Sequence, residues 1–502
     1  MLVGVKNRKL ILLFTIVLCV VFSQQILVYG ASRSSTDEFD AEYFTSVIDM
    51  INNKYRGEID GKKLIEGALK GMLDTLDPYT TYYNTEETND FYNDMKGTFE
   101  GIGVTLEKRD EYVVVIKVFS SSPAEKAGII PGDRIISVNG KSIVGVSVEE
   151  ATSLIKGKAG TTVNLEILRG ERNEVLKIKV YREKIEISPV EYEIKNGICY
   201  LKIDSFNANT DKYVTQALKE TDKQNVTKVI LDLRNNPGGE VAQAVAVASK
   251  FVPKGLITKL DFKSEDIMDL EYVSDLEKQK YKVVVLVNGE SASASEIVAG
   301  AIQDSGAGVL IGTKTFGKAK VQSLIPVLTP EASKKYERLL GVRIVDGYNL
   351  MVKYGIFPQD DEILGTMKIT TGVYSTPKGR IIDGVGLTPD IIIDDPAPVN
   401  GIDINSLQKL SVTWKPDLNN SGIDIYYAEK ILKALGYDVD TPDAFLDEKT
   451  YQAISKFRTD KKLYPGGVLD FTTQKALNAE MENLILKYDK QYAKAIEILN
   501  GK

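Results

Sequence analysis

At 502 residues the chain is too long for one hydrophobic core, and two to four domains are expected. Its 63 basic against 70 acidic residues leave a formal charge of −7, which argues against a nucleic-acid binder, since that function calls for a basic face. It contains no histidine, which excludes every Ser-His-Asp and Cys-His arrangement, the HExxH zinc sites and most catalytic zinc sites.

Residues 1–31 carry Lys6, Arg8 and Lys9, an apolar run from Leu10 to Phe22, and small residues at Gly30-Ala31. Basic flank, short apolar core and small end describe an export signal; with Ile26–Val28 added the run approaches a membrane anchor in length. Both readings place the bulk of the protein outside the cytoplasmic membrane, secreted or tethered. Cys19 lies inside this run and Cys199 is far from it, so no disulfide framework is available. Residues 32–96 follow as a helical region, with Phe44, Val47, Ile48, Ile51 and then Leu64, Ile65, Ala68, Leu69, Met72, Leu73 at helical spacing. The turn Leu76-Asp77-Pro78-Tyr79-Thr80 interrupts the pattern.

Residues 97–183 resemble a PDZ domain. Gly101-Ile102-Gly103-Val104 is similar to its carboxylate-binding loop, Ser122–Gly128 and Pro131–Gly140 to its middle turns and strand, and Ser147–Lys156 to the helix flanking the groove. Glycines in such a loop free backbone N–H groups to meet a chain-terminal carboxylate, while the ligand adds a strand beside Ile102 and Val104.

Residues 184–395 alternate strand and helix patterns, which is α/β organisation with chemistry expected in the loops at strand ends. Val226–Leu233 reads as a strand, followed by Arg234-Asn-Asn-Pro-Gly-Gly239 and a helix of small apolar residues. Val283–Val287 is a second buried strand, broken by Asn288-Gly289; three alternate serines (Ser291, Ser293, Ser295) lead into a helix carrying Ile297, Val298, Ala301 and Ile302. A strand, a sharp turn, a serine and a helix start together hold a hydroxyl exposed beside the positive end of a helix dipole. The glycine-rich turn 234–239 can point N–H groups inward as an anion nest, as an oxyanion hole requires. With no histidine available, the base for a serine must be Lys, Asp, Glu or Tyr. Lys318 is a candidate, and if 318–322 is strand, Gln322 shares its face. The segment 329–365 reads as an insertion, too apolar for a solvated loop, that forms either a cover or partner surface or a structural elaboration. Residues 396–420 form a linker. Residues 421–480 hold a short repeat in which Leu446-Asp447, Thr450 and Ala453-Ile454 match Leu469-Asp470, Thr473 and Ala476-Leu477, implying a small helical module. The tail 481–502 reads as helical and charged.

Taken together, these motifs resemble the carboxyl-terminal processing peptidases of the tail-specific, Ser-Lys type. The resemblance rests on Leu76-Asp77-Pro78, the PDZ, Leu233–Gly239, Ser291–Glu296, Thr315–Gln322 and Gly384–Asp390. It implies a multidomain α/β protein with a crotonase-like, ClpP-related protease core. It places the nucleophile at Ser293, the general base at Lys318 and a lysine-orienting glutamine at Gln322. It places an oxyanion hole at the N–H groups of Gly238 or Gly239 and of Ala294, and needs no metal or cofactor. Neutral lysine at pH 7 costs about 4.6 kcal/mol relative to an ordinary pKa near 10.4, so burial and Gln322 must supply most of that. The position after the base is Ala319 where the pattern has glycine, which would strain the strand if it needs positive φ.

Residues 421–480 resemble a peptidoglycan-binding module through Ala434–Tyr437, Phe445–Asp447, Thr450 and Gly467–Asp470, with Arg458 standing where the pattern has Gln. Glycan binding and a reduced role in dimer formation both remain open. The resemblance further implies substrates with free C-termini, a homodimer, and cleavage of exported or membrane proteins in regulatory or sporulation signalling. The combination of domains looks most like that of spore-forming Gram-positive bacteria. Two rivals exist. Ser153-Leu-Ile-Lys156 and Ser406-Leu-Gln-Lys409 match the S-x-x-K signature of penicillin-binding proteins, but no Lys-Thr-Gly follows either. A PDZ and wall-binding scaffold with an inactive protease core is the non-enzyme alternative.

Overall fold

A computed structural model describes residues 41–119, 121–169, 174–264 and 267–501, in two compact units divided between Ile65 and Glu66. The expected export segment, 1–31, lies outside the described residues. Among the described residues no helix is long and apolar enough to cross a membrane. In the first unit the helix Ala41–Lys54 buries none of its side chains.

The core of the second unit is a six-stranded sheet in the order 190–195, 198–203, 228–232, 282–287, 308–312, 391–392. The first pair is antiparallel and the others parallel. The strand Lys282–Val287 lies at its centre, and its unbroken apolar run is explained by burial on both faces. Val283, Val285 and Val287 meet the helices Thr210–Lys223, Val241–Ala248 and Ala294–Ser305 on one side. On the other side Val284 and Leu286 meet Ala495 and Leu499 of the last helix, Lys490–Leu499. The charged tail is thus the second covering layer of the sheet. Its boundary also differs from the sequence reading, because the preceding helix runs Phe471–Tyr488 without a break at 480.

A second sheet is organised on the long strand Ile363–Ser375. One edge pairs with Thr81–Asn84 and Gly255–Phe262, the other with Lys320–Leu328. Between the strands Lys320–Leu328 and Ile363–Ser375 the insertion forms the helices Pro330–Leu340 and Gly347–Tyr354. They share a small core of Leu328, Ala332, Tyr336, Ile344 and Leu350.

The PDZ-like segment forms a sheet in the order 104–109, 112–118, 134–138, 162–169, 174–181, packed on the helix Val148–Ile155. Its entering strand Thr98–Gly101 pairs antiparallel with its leaving strand Glu183–Glu186. The supposed linker 396–420 is packed rather than free: Ile402, Ile404, Leu407 and Leu410 are buried in the C-terminal core with the helices Ile423–Ala434 and Glu448–Asp460. The internal repeat is a pair of matching helix caps. Asp447 accepts from the Thr450 backbone N–H (2.7 Å) and Asp470 from that of Thr473 (2.8 Å), with Leu446 and Leu469 buried just before them. Arg458 is structural, donating to the carbonyls of Tyr464 and Val468 (both 2.6 Å) and pairing with Asp470.

Candidate active site

Two loops at the carboxyl ends of neighbouring parallel strands form the site: 233–239 after the strand Lys228–Asp232, and 288–293 after Lys282–Val287. They are stitched by asparagines. The Asn235 N–H donates to Asn288 Oδ1 (2.9 Å) and Asn288 Nδ2 donates to Asn235 Oδ1 (2.8 Å). The Ala292 N–H donates to the Asn236 carbonyl (3.0 Å).

The three serines separate cleanly. Ser291 and Ser295 are fully buried, with hydroxyls donating to the carbonyls of Leu233 (2.8 Å) and Asn236 (2.9 Å). Ser293 is only partly buried and stands at φ 54°, ψ −114°, a conformation that costs a non-glycine residue roughly 1–3 kcal/mol. Among the described residues its hydroxyl donates to no acceptor, and its oxygen faces the Glu296 N–H in a capping box. It precedes the helix Ala294–Ser305, whose first N–H, that of Ala294, likewise has no acceptor.

The Pro-Gly-Gly turn lies directly against this serine. A Cβ on Gly238 would come within 2.8 Å of Ser293 Cβ and 3.0 Å of the Ala294 nitrogen. The two glycine N–H groups are not equivalent. That of Gly238 is taken by Asn236 Oδ1 (2.9 Å), whereas that of Gly239 is unbonded among the described residues. Gly239 has φ 143° and a Cβ there would sit 2.1 Å from the Phe206 carbonyl, so no side chain fits.

Lys318 lies just before the strand Lys320–Leu328, not within it, and a register shift separates Val321 from Gln322. The same-face argument for Lys318 and Gln322 therefore does not apply as expected. Gln322 Nε2 donates to Thr370 Oγ1 (3.2 Å), and among the described residues no hydrogen bond joins Lys318 to Gln322 or to Ser293. The Lys318 ammonium instead lies over the Tyr79 ring, 4.3 Å from its centroid. Burial, reinforced by Lys368, holds the Lys318 pKa below the usual lysine value against the opposing pull of Asp77 and Glu296. The concern over Ala319 is removed: its φ is not positive, it is fully buried, and its N–H donates to Asp383 Oδ1 (3.1 Å). The positive φ falls on Gly317 (86°), where a Cβ would meet the Gly386 nitrogen at 2.6 Å.

Sequence reasoning missed the group that binds these pieces together. Glu296, fully buried, accepts from the Ser293 N–H (2.9 Å), Thr315 Oγ1 (2.6 Å), the Gly317 N–H (2.8 Å) and the Lys318 N–H (2.9 Å). The signal was present as S-x-x-E spacing at a helix start. In the PDZ, Ile102 is buried and its carbonyl accepts from the Ala124 N–H (2.8 Å), while Gly103 turns at φ 84°. Gly101 closes the entering strand, and Val104 begins Val104–Arg109, the edge strand of the sheet, open on one side for an added strand.

The fold and site define a multidomain α/β hydrolase with a PDZ domain and a helical C-terminal module. Sequence profiles sharpen this: "Peptidase family S41" matches residues 197–393 and "PDZ domain" 101–180. "Activating protease CtpB N-terminal domain" matches 23–88 and "Putative peptidoglycan binding domain" 421–477. The carboxy-terminal processing protease CtpA of Bacillus subtilis (strain 168) is 33% identical over 507 residues, 98% of this chain and 99% of that protein. CtpB of the same strain is 30% identical, covering 86% of this chain and 83% of its own length. A carboxy-terminal-processing protease of Bartonella bacilliformis is 34% identical over 75% of this chain and 82% of its own. The chain belongs to peptidase family S41, among the carboxy-terminal processing proteases. It is a peptide hydrolase.

Proposed function

We propose that this peptidase cleaves through a Ser293–Lys318 dyad and selects substrates by a free C-terminus bound at the PDZ. The observation that carries the reading is the separation of the serines: of the three, Ser293 alone stands at positive φ with a hydroxyl that donates to no described group, against Gly238 and next to the free N–H of Ala294, with the free N–H of Gly239 one residue further along the turn. In this mechanism neutral Lys318 takes the Ser293 proton as Oγ attacks the scissile carbonyl carbon. The N–H groups of Gly239 and Ala294 receive the oxyanion, and the Asn236 contact removes Gly238 from that role. Collapse breaks the C–N bond, the amine leaves with the proton from Lys318, and water attacks the resulting ester with Lys318 again as base. Gln322 would act on Lys318 only after leaving Thr370.

The open edge strand Val104–Arg109, with Gly101–Val104 at its start, supports capture of a substrate tail. We place the enzyme outside the cytoplasmic membrane, where it would cut exported or membrane proteins in regulatory or sporulation signalling, with the C-terminal module on peptidoglycan. A homodimer is consistent with the unburied helix Ala41–Lys54. Cleavage of casein and of a peptide carrying a free or amidated C-terminus tests the reading. S293A and K318A should each lose at least about 10³-fold in kcat, and amidation should raise KM. Wild-type rates in either variant refute the dyad; equal cleavage of the two peptides refutes carboxylate capture.

A further inference from the structure

The dyad leaves one motif unexplained, the turn Asp77-Pro78-Tyr79-Thr80, and its structure points at the base. The turn is rigidly tied. Asp77 Oδ1 accepts from the N–H groups of Tyr79 (2.8 Å) and Thr80 (3.0 Å), and Asp77 Oδ2 from Thr80 Oγ1 (3.2 Å). Thr80, buried, accepts in turn from the Thr370 N–H (3.1 Å), and Thr370 Oγ1 takes the Gln322 amide. These bonds fix the Tyr79 ring beneath Lys318, whose Nζ lies 4.3 Å from the ring centroid.

We propose that Tyr79 is a positioning residue for the general base: its ring face parks the protonated Lys318 away from Ser293 and so sets the pH at which the dyad becomes competent. This rests on the reading of Lys318 as base. A ring quadrupole attracts an ammonium and offers a neutral amine almost nothing, so the contact stabilises only the protonated state. Once the ammonium gives its proton to solvent the attraction vanishes, and Nζ is released to accept the proton of Ser293 Oγ. Tyr79 therefore opposes burial and Lys368, which favour the neutral amine, and acts in the same direction as Asp77 and Glu296. Lys320, 5.8 Å from the same ring centroid, is the other cation on that face.

The test is the pH dependence of kcat/KM on a quenched fluorescent peptide for the full-length enzyme and the variants Y79F, Y79W and Y79L. Phenylalanine keeps the ring and should leave the acid limb in place. Leucine should move it down by about 0.5–1 pH unit, and tryptophan, the strongest cation-binding ring, should move it up. An unmoved limb in Y79L, or a shift in Y79F equal to that in Y79L, overturns the proposal. If Y79L does not fold, an identical limb in Y79F and Y79W overturns it instead. The Glu240 carboxyl is pushed up to about 6 by burial, so the series is run in E240Q as well to remove its titration from the profile. K318A separates the two ideas. Wild-type activity in that variant removes the base itself, whereas an inactive K318A with an unmoved Y79L limb removes only the role of Tyr79.

Discussion

Glu296 holds Ser293 and Lys318, the proposed nucleophile and base, in one frame. Its two oxygens accept from both ends of the site at once, Ser293 on one side and the 315–318 turn on the other. All of its partners are donors, so only an acceptor without protons satisfies them. A glutamine in its place keeps the shape but aims an NH2 group at donors, leaving buried N–H groups without acceptors. We expect E296Q to lose about 2–4 kcal/mol of stability and kcat on the order of tenfold to a hundredfold, with KM little changed. Urea unfolding and steady-state kinetics measure both. A variant less stable but with wild-type kcat would show that Glu296 only caps its helix.

At the scale of elements, what the sequence disclosed was whatever depends on local pattern. The run Val283–Val287, the break at Asn288-Gly289 and the helix start after Ser293 were all readable, because burial on both faces and turn chemistry are written in adjacent residues. The repeat near Leu446 and Leu469 was readable too, and it encodes two aspartate caps. The difference between the Gly238 and Gly239 N–H groups was not read from the sequence, although the Asn236 contact behind it spans only two residues. Nor was the parking of Lys318 on Tyr79, which joins residues far apart in the chain. The strands Gly255–Phe262 and Leu270–Ser274 escaped as well, because a bulge between Leu256 and Thr258 breaks the alternation of the first and the exposed Val273 blurs that of the second.

The buried acid of the C-terminal module was equally hidden. Glu429 accepts from the N–H groups of Asp443 (3.0 Å) and Ala444 (2.9 Å) and from Thr450 Oγ1 (3.0 Å), yet burial pushes its carboxyl up to about 8. With the folded pKa above the unfolded one, its contribution to stability is full below about pH 4.5 and is lost as pH rises towards about 8. The module of the wild type should therefore lose stability over that window relative to E429Q. Trp414, the chain's single tryptophan, packs in this core and donates to Asp424 Oδ2 (2.8 Å), so its fluorescence reports the transition. Parallel melting curves for wild type and E429Q across the window would contradict the assignment.

On the scale of the whole molecule, the last helix reaches back to the turn that faces Ser293. Arg234, the residue that opens the turn 234–239, is buried and pairs with Asp232 of the preceding strand and with Asp489 (2.8 Å). It also donates to Gln491 Oε1 (3.1 Å), and Tyr200 donates to Asp232 Oδ2 (2.8 Å). Burial alone would raise the Asp232 pKa, but the guanidinium prevails and holds it below the usual carboxylate range. Asp489 sits where the helix Phe471–Tyr488 of the C-terminal module hands over to Lys490–Leu499 on the protease sheet. Asp489 thus links both of these helices to the turn 234–239. Removing one acid from a buried, hydrogen-bonded arginine cluster is costly because the remaining charge stays buried, and Asp232 can compensate only in part. D489A should lose about 2–4 kcal/mol of stability and lower kcat through a looser turn, while the affinity of the PDZ for a substrate tail stays unchanged. Urea unfolding, kcat on the quenched peptide and tail binding to the S293A background would measure the three separately. Reduced stability with full kcat would assign the last helix to support of the sheet alone; reduced kcat with intact tail binding would make the junction at Asp489 part of the machinery that shapes the oxyanion hole.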